Sequence, residues 1–390
     1  TKDGVGFSEI RVYQFRNLAD QCVDTGAREV FLVGENGMGK TNFLEAIYYL
    51  CYASSFRTRR DEQILRHGSE EMAVRGILAR DGHRRELSCK SRNRKKEIEL
   101  DGQRLTDRKE LISVMPCVVF CHDDIDFVKG APEMQRYFVD QTLSMYNPLF
   151  IEDMRRYRRI LKSRNLALKA GHYEVLEVYD EQLAEAGVHL QENRRVAVEA
   201  FNRTFSELFR RISGLEVPLH LLYRPSWRAA VGRSTLDQSA AGELPSGATS
   251  RRNRTPAQQE VMKTLRERRE QDIYFRTTTS GPHRDKFRYD FGGRDFTEVG
   301  STGQLRLVSL ILRVAQATFY QQQSGRLPLL LLDDVLLELD PGRRQRFFES
   351  MPEYEQAFFT FLPDEQYERY RNDKTLLYHV VDGKLTREVA

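Results

Sequence analysis

Gly34-Glu35-Asn36-Gly37-Met38-Gly39-Lys40-Thr41 is the stretch that decides how this 390-residue chain folds, because it satisfies G-x-x-x-x-G-K-[ST] at every fixed position. An apolar run, Val30-Phe31-Leu32-Val33, leads into it, and a helix-forming run, Asn42-Phe43-Leu44-Glu45-Ala46-Ile47, follows. Strand, glycine-rich loop and helix in that order are what a phosphate-binding loop requires. The glycines let successive backbone N–H groups curl toward phosphate oxygens, and the helix N-terminus adds partial positive charge at the same place. In such a loop Lys40 reaches the β- and γ-phosphates, and the Thr41 hydroxyl ligates Mg²⁺.

The complementary half lies near the other end, at Leu329-Leu330-Leu331-Leu332-Asp333-Asp334. Four leucines suit a strand buried on both faces of a mostly parallel sheet and are too few to span a membrane. A strand ending in two acids sets carboxylates at the carboxyl edge of the sheet, where α/β folds bind ligands. Asp333 is expected to hold Mg²⁺, and Asp334 to orient or deprotonate the attacking water. Just upstream, Gly300-Ser301-Thr302-Gly303-Gln304 opens an apolar helix from Leu307 to Tyr320. This is a second anion-binding helix entry, unless Ser301 or Thr302 serves only as its cap. In ABC-type ATPases an S-x-G-Q motif binds the γ-phosphate held by a second subunit. Leu339-Asp340-Pro341 would form the loop that crosses toward that subunit.

P-loop, long insertion, S-x-G-Q, acidic strand and L-D follow one another as in an ABC-type head. More than the order matches, and from nearly end to end the chain resembles the RecF family of bacterial recombination mediators. The matching strings include Phe15-Arg16-Asn17 before the first strand, Gly34 to Asn42 with Leu44-Glu45-Ala46, and Ser55-Phe56-Arg57-Thr58. They continue through Val128 to Glu133, Leu161 to Asn165, Ser280-Gly281-Pro282-His283-Arg284-Asp285, S-x-G-Q and Leu331 to Val335. The chain departs from the family at Cys121-His122-Asp123-Asp124, where Pro and Glu are usual in the Q-loop segment. It departs also at Leu337, where Ser is commoner, at Thr302, and at Phe359-Thr360-Phe361, where only Thr360 of a T-x-T switch remains.

The resemblance implies an α/β fold: an ABC-type, SMC-head-like P-loop ATPase lobe with mixed sheets, plus a mainly helical second lobe. It implies ATP and Mg²⁺ as cofactors, bound by Gly34, Glu35, Asn36, Gly37, Met38, Gly39, Lys40, Thr41 and Asn42. Arg16, Asn17 and Arg57 would assist, with Ser301, Gly303 and Gln304 acting on the nucleotide of a second copy. Thr41 and Asp333 are the expected metal ligands, and Lys40 and Asp334 the catalytic pair. It further implies a weak DNA-stimulated ATPase whose ATP-driven homodimer binds duplex DNA and gapped single-/double-strand junctions. RecR and RecO would be its partners, and loading of the RecA recombinase the outcome. An SMC-type chromosome tether and an overcoming-lysogeny-type ATPase-nuclease are the alternatives. The tether's long heptad array is not evident in the sequence, and no acidic cluster accompanies His283 and Arg284.

Composition is compatible with this. A 40% hydrophobic and 30% charged chain without an 18-residue apolar run describes a globular protein of two lobes, with no membrane span expected. No secretory leader opens the sequence, so a cytoplasmic, nucleoid-associated protein is expected. Five cysteines form no C-x-x-C pair, and Cys117, Cys121 and His122 lie on an apolar run, which reads as buried thiols rather than metal ligands.

The net charge of +4 decides nothing about nucleic acid, but its distribution is uneven. Arg84, Arg85, Lys90, Arg92, Arg94, Lys95, Lys96 and Arg104 crowd a stretch patterned like β-hairpins with a turn at Asp101-Gly102. Arg155, Arg156, Arg158, Arg159, Lys162, Arg164 and Lys169 load one helical region. Arg251, Arg252, Arg254, Lys263, Arg266, Arg268 and Arg269 form a third group. Each is either a solvated face or a phosphate-binding surface.

The head is expected at 1–130 and 272–390, and the helical lobe at 131–271. Met154, Tyr157, Leu161 and Leu168 mark a helix ended by Gly171, and Phe201, Phe205, Leu208 and Ile212 mark another ended at Ser213-Gly214. The polar segment 228–258 reads as a mobile loop, and Asp272 to Tyr274 as the start of a strand.

Overall fold

The computed structural model describes residues 6–80, 82–93, 95–228, 255–335 and 339–388. Arg94, Arg251, Arg252, Arg254, Leu337, Glu338 and residues 229–254 of the expected loop 228–258 therefore lie outside the described residues, while Thr255 to Gln258 at its end are the capped first turn of a helix and not loop. Two compact units emerge: Thr1–Val128 with Glu207–Glu216 and Gly300–Ala390, and Lys129–Ser206 with Val217–Val299.

The first unit holds two six-stranded sheets. One is antiparallel, built from β1 (Phe7–Tyr13), β2 (Gln21–Asp24), β4 (Glu71–Arg80), β5 (His83–Arg92), β6 (Lys95–Leu100) and β7 (Gln103–Arg104), in the order β2-β1-β4-β5-β6-β7. Asp101 and Gly102, both at positive φ, make the expected hairpin turn between β6 and β7. The other sheet contains β3 (Glu29–Val33), β8 (Cys117–Phe120), β12 (Leu329–Leu332), β13 (Gln356–Phe361), β14 (Leu376–Val381) and β15 (Lys384–Arg387). Its order is β15-β14-β3-β13-β12-β8, parallel except for β15. Two strands, β1 and β2, thus precede the P-loop strand, so Phe15-Arg16-Asn17 follows the first strand instead of preceding it as expected.

Helix α1 (Lys40–Tyr52) touches strands of both sheets. Phe43, Ile47 and Leu50 of α1 share one apolar core with Phe7 and Ile10 of β1 and with Leu329 and Phe358. That double coverage explains why ten of its thirteen residues are buried. The four leucines of β12 are likewise buried on both faces, as their sequence demands. Helices α2 (Arg108–Val114), α3 (Asp126–Lys129), α10 (Thr302–Ser324) and α11 (Pro341–Glu349) complete this part of the chain.

The second unit is built on α4 (Pro132–Tyr146), α5 (Pro148–Ala170) and α6 (Leu176–Ser213), with α7 (Pro256–Glu267), α8 (Arg269–Phe275) and α9 (Phe296–Val299). Gly171 and Gly214 take positive φ where α5 and α6 stop. A small antiparallel sheet, in the order β11-β10-β9, joins β9 (Leu219–Arg224), β10 (Lys286–Phe291) and β11 (Arg294–Asp295).

Residues 272–299 belong to this second unit rather than to the head, which corrects the expected boundary. The reason is physical: β10 pairs with β9 over six residues, from Lys286–Arg224 to Phe291–Leu219. The expected strand at Asp272–Tyr274 is instead the last part of α8, with Asp272 buried and bonded to Arg164 and to the Thr279 backbone. Conversely, Glu207–Glu216, the end of α6 and the turn after it, groups with the first unit.

Candidate nucleotide site

Where β3 ends, the chain turns through Gly34, and a Cβ there would lie 2.4 Å from the Val380 carbonyl oxygen. Gly37 and Gly39 have φ of 81° and 112°, left-handed values that favour glycine. The loop therefore needs glycine for two different reasons, close approach and backbone handedness.

Lys40 is the first residue of α1, and its buried Nζ donates to the Gly34 carbonyl at 2.5 Å and the Glu35 carbonyl at 3.4 Å. The same Nζ lies 3.7 Å from Asp334 Oδ2. Thr41 Oγ1 donates to Asp333 Oδ1 at 2.8 Å, so residues 292 positions apart meet.

Sheet order makes that meeting possible. β13 lies between β3 and β12, so Thr360 stands between the P-loop and the two acids. Its hydroxyl accepts from the Asp334 amide at 2.7 Å and donates to Asp334 Oδ1 at 2.7 Å. Asp334 has φ 51°, an uncommon conformation for a non-glycine residue and one that recurs at functional sites. Burial pushes the Asp333 carboxyl up to about 6, against the opposing pull of its Thr41 hydrogen bond. A desolvated carboxylate paired with a hydroxyl is a donor set that suits a hard divalent cation.

Glu35, Asn36, Gly37, Gly39, Lys40, Thr41, Asn42, Arg57 and Asp334 line one pocket. A neighbouring pocket shares Asn36 and Asp334 and adds Cys121, His122, Arg306, Ser309 and Asp333. Cys121 and His122 follow the edge strand β8 and so reach the same carboxyl edge. His122 Nε2 is 3.3 Å from an Arg306 guanidinium nitrogen. Asp124, buried, is anchored by Arg313 at 2.7 Å.

Other sequence candidates take supporting positions. Met38 faces the β14–β15 turn, its carbonyl accepting from Gly383 N at 2.8 Å. Asn17 donates to the Gly37 carbonyl at 3.1 Å and accepts from Asn42 at 2.6 Å, bracing the loop from behind. Arg16 lines neither pocket; its guanidinium makes a bidentate pair with Glu45 at 2.7 and 2.8 Å. Ser301 and Gln304 form a reciprocal capping box at the start of α10, with open space around Gly303. Neither Ser301 nor Gly303 lines either pocket.

Glu45 is a site residue that the sequence candidates omitted, and Thr360, there only the remnant of a T-x-T switch, is the residue that holds Asp334. Glu45 is fully buried on an otherwise apolar helix, and a lone acid there signals a partner. Besides Arg16 it takes the Ser55 hydroxyl and lies 3.5 Å from Arg57. Ser55 Oγ also accepts from the amides of Arg57 and Thr58 at 2.9 and 3.0 Å, and Arg57 donates to Asn42 at 2.8 Å. The S-F-R-T string is thus a turn that aims Arg57 at the phosphate loop.

The G-P-H-R-D string lies elsewhere, inside the second unit. His283 Nδ1 is 2.8 Å from the Tyr157 hydroxyl and Nε2 is 3.0 Å from the Thr278 carbonyl, and burial pushes its imidazole down to about 4. Asp285 is enclosed by Arg194, Gln191, Tyr223 and the Ser226 amide. This is a core cluster. Among the described residues no group of three or more His, Cys, Asp or Glu could hold a metal ion.

Residues 7–384 match the family model of the RecF/RecN/SMC N-terminal domain. The protein named DNA replication and repair protein RecF of Treponema pallidum (strain Nichols) is 40% identical over 371 residues, covering 95% of this chain and 97% of its own. Its namesake in Trichlorobacter lovleyi is 30% identical, covering 97% and 98%. Among solved structures, one described as the recombination mediator protein RecF-ATP in the RecFOR pathway superposes with a TM-score of 0.84. It is 25% identical and covers 100% of this chain and 99% of its own. An SMC head bound to the C-terminal winged-helix domain of ScpA gives a TM-score of 0.54 at 14% identity, covering 98% and 97%, a likeness of fold alone. With both nucleotide motifs on one SMC-like head and the likeness running the whole length of its relatives, the chain belongs to the RecF family.

Proposed function

We propose that this chain is an ATP-driven DNA-binding switch of recombinational repair, working as a homodimer that closes around two nucleotides. One observation carries the reading: Lys40, Thr41, Asp333, Asp334 and Thr360 converge at one sheet edge, while Ser301 and Gly303 line neither pocket there. A γ-phosphate sensor outside the pocket of its own chain is free to serve a second copy.

In this reading the P-loop amides and Lys40 hold the phosphates, with Arg57 as a further cation. Thr41 and Asp333 would hold Mg²⁺, which would neutralise phosphate charge. Asp334, fixed by Thr360, aligns the attacking water. Hydrolysis removes the bridging γ-phosphate, so the ligand favours the closed dimer only while it is ATP. By family likeness the target is gapped DNA with single-/double-strand junctions, with RecR and RecO as partners and loading of the RecA recombinase as the outcome.

A tethering role of the SMC kind is the second reading, and the head fold favours it. Against it, the longest described helix, α6, has 38 residues, about 57 Å of helix, well short of a long coiled-coil arm. A nuclease role has no acidic metal cluster behind it among the described residues.

Light scattering of Asp334→Asn with ATP and with ADP tests the switch. A dimer with ATP only is the expected result; a monomer with both, in the presence and absence of DNA, would remove the sandwich mechanism.

A further inference from the structure

The three basic groups of the sequence are not equivalent once folded. In the hairpin group, Lys90 pairs with Glu99 at 3.0 Å, Arg85 with Asp101 at 2.8 Å, and Arg92 with Glu71 at 3.5 Å. Lys96 is spent on the protein itself, 2.7 Å from Asp61, bonded to the Ala53 carbonyl and set over the Tyr49 ring. In the third group, Arg266 and Arg269 share Glu177. Half of the eight hairpin cations are thus paired, while Arg84, Lys95 and Arg104 are exposed without an ion pair among the described residues, and Arg94, Arg251, Arg252 and Arg254 lie outside them.

Helix α5 differs. From Met154 to Ala170 it carries seven Arg or Lys and no acid. Arg164 is buried between Asp180 and Asp272, and Arg156 pairs with Glu185. The rest, Arg155, Arg158, Arg159, Lys162 and Lys169, are exposed, and among the described residues no ion pair engages Arg158, Arg159, Lys162 or Lys169.

At 100° per residue these five, with exposed Leu166, fall within about 100° of arc. Tyr157, Ile160, Arg164, Ala167 and Leu168 are buried and occupy the opposite face. The helix therefore presents four cations without an ion pair among the described residues, Arg158, Arg159, Lys162 and Lys169, over about 17 Å of its length, with the longest gap between Lys162 and Lys169.

We propose that this face of α5 is the surface that tracks the phosphate backbone of double-stranded DNA. The proposal rests on the DNA-binding reading above and names where that binding occurs. Cations gathered on one helix face with a single exposed apolar side chain among them suit a polyanion. A protein interface would centre on aromatic or apolar anchors and be depleted in lysine.

The test compares the full chain with R158S/R159S/K162S/K169S, and with the hairpin variant R85S/R92S/K95S, on a fluorescent duplex in the presence of ATP and Mg²⁺ between 50 and 200 mM salt. Four lost phosphate contacts lower the slope of log K against log salt by about 3.6. The wild type should then lose affinity about 100-fold more than the α5 variant across that range. The hairpin variant should keep the wild-type slope, and ATP binding and ATP-driven dimerisation should be unchanged in both. An α5 variant with wild-type affinity and slope overturns the proposal while leaving DNA binding intact, and would turn attention to an acidic protein surface. A wild-type chain that binds no duplex under any nucleotide condition overturns the DNA-binding reading as well.

Discussion

Glu45→Ala is the sharpest test of how the phosphate site is held. The carboxylate is fully buried, accepts a bidentate pair from Arg16, takes the Ser55 hydroxyl and lies 3.5 Å from Arg57. Removing one partner of a buried ion pair costs 3–5 kcal/mol when the other charge stays buried. Here Arg16 and Arg57 retain 20% and 41% side-chain exposure, so water can reach both after the deletion. The cost should therefore fall at the lower end, about 3 kcal/mol. At a urea m-value of about 3 kcal/mol/M, the midpoint should drop by about 1 M. Arg16→Met alone removes the bidentate partner but leaves Glu45 the Ser55 hydroxyl and Arg57, so it should cost no more than Glu45→Ala, and the double variant should be more stable than the sum of the two losses predicts. A double-mutant cycle reading a coupling of at least about 1.5 kcal/mol supports this account. Because Glu45 holds Ser55, whose hydroxyl in turn caps the Arg57 turn, and lies beside Arg57 itself, the Ala variant should bind ATP more weakly even at temperatures where it is folded. A coupling energy near zero, with ATP affinity unchanged, would refute the idea that Glu45 organises the loop.

Three further outcomes follow from the geometry. Burial raises the Asp333 carboxyl to about 6, above its unfolded value, so the folded state binds the extra proton between about pH 4 and 6. Asp333 should then lower stability as pH rises through that window, and Asp333→Asn should remove this component from a pH series of urea midpoints; in the wild type, affinity for Mg²⁺ and ATP should weaken as pH falls below about 6. Gly303→Arg points into open space, so its thermal midpoint should equal wild type while ATP-driven dimerisation fails; normal dimerisation would exclude a trans role for that helix entry. Arg194→Met strands Asp140 and Asp285 in the second unit and should cost about 3–5 kcal/mol, read by denaturation, whereas Arg195→Met on its more exposed side should cost about 1 kcal/mol or less.

Much of the site was written into local sequence. A P-loop is legible because its glycines, lysine and threonine are contiguous, and its backbone needs are local. Four leucines before two acids announce a doubly covered strand for the same reason. The ends of α5 and α6 could be read from Gly171 and Gly214, since a left-handed residue is a local requirement. What folding alone decided was pairing across distance. No periodicity tells that β13 inserts between β3 and β12, so Thr360's hold on Asp334 depends on sheet order. Arg16 was expected at the nucleotide and went to Glu45, because a buried carboxylate claims the nearest cation. Residues 272–299 left the head because β10 found its hydrogen bonds on β9, a partner some sixty residues away. The basic groups make the same point: composition counts charges, but only the packed chain shows which ones already have a counterion.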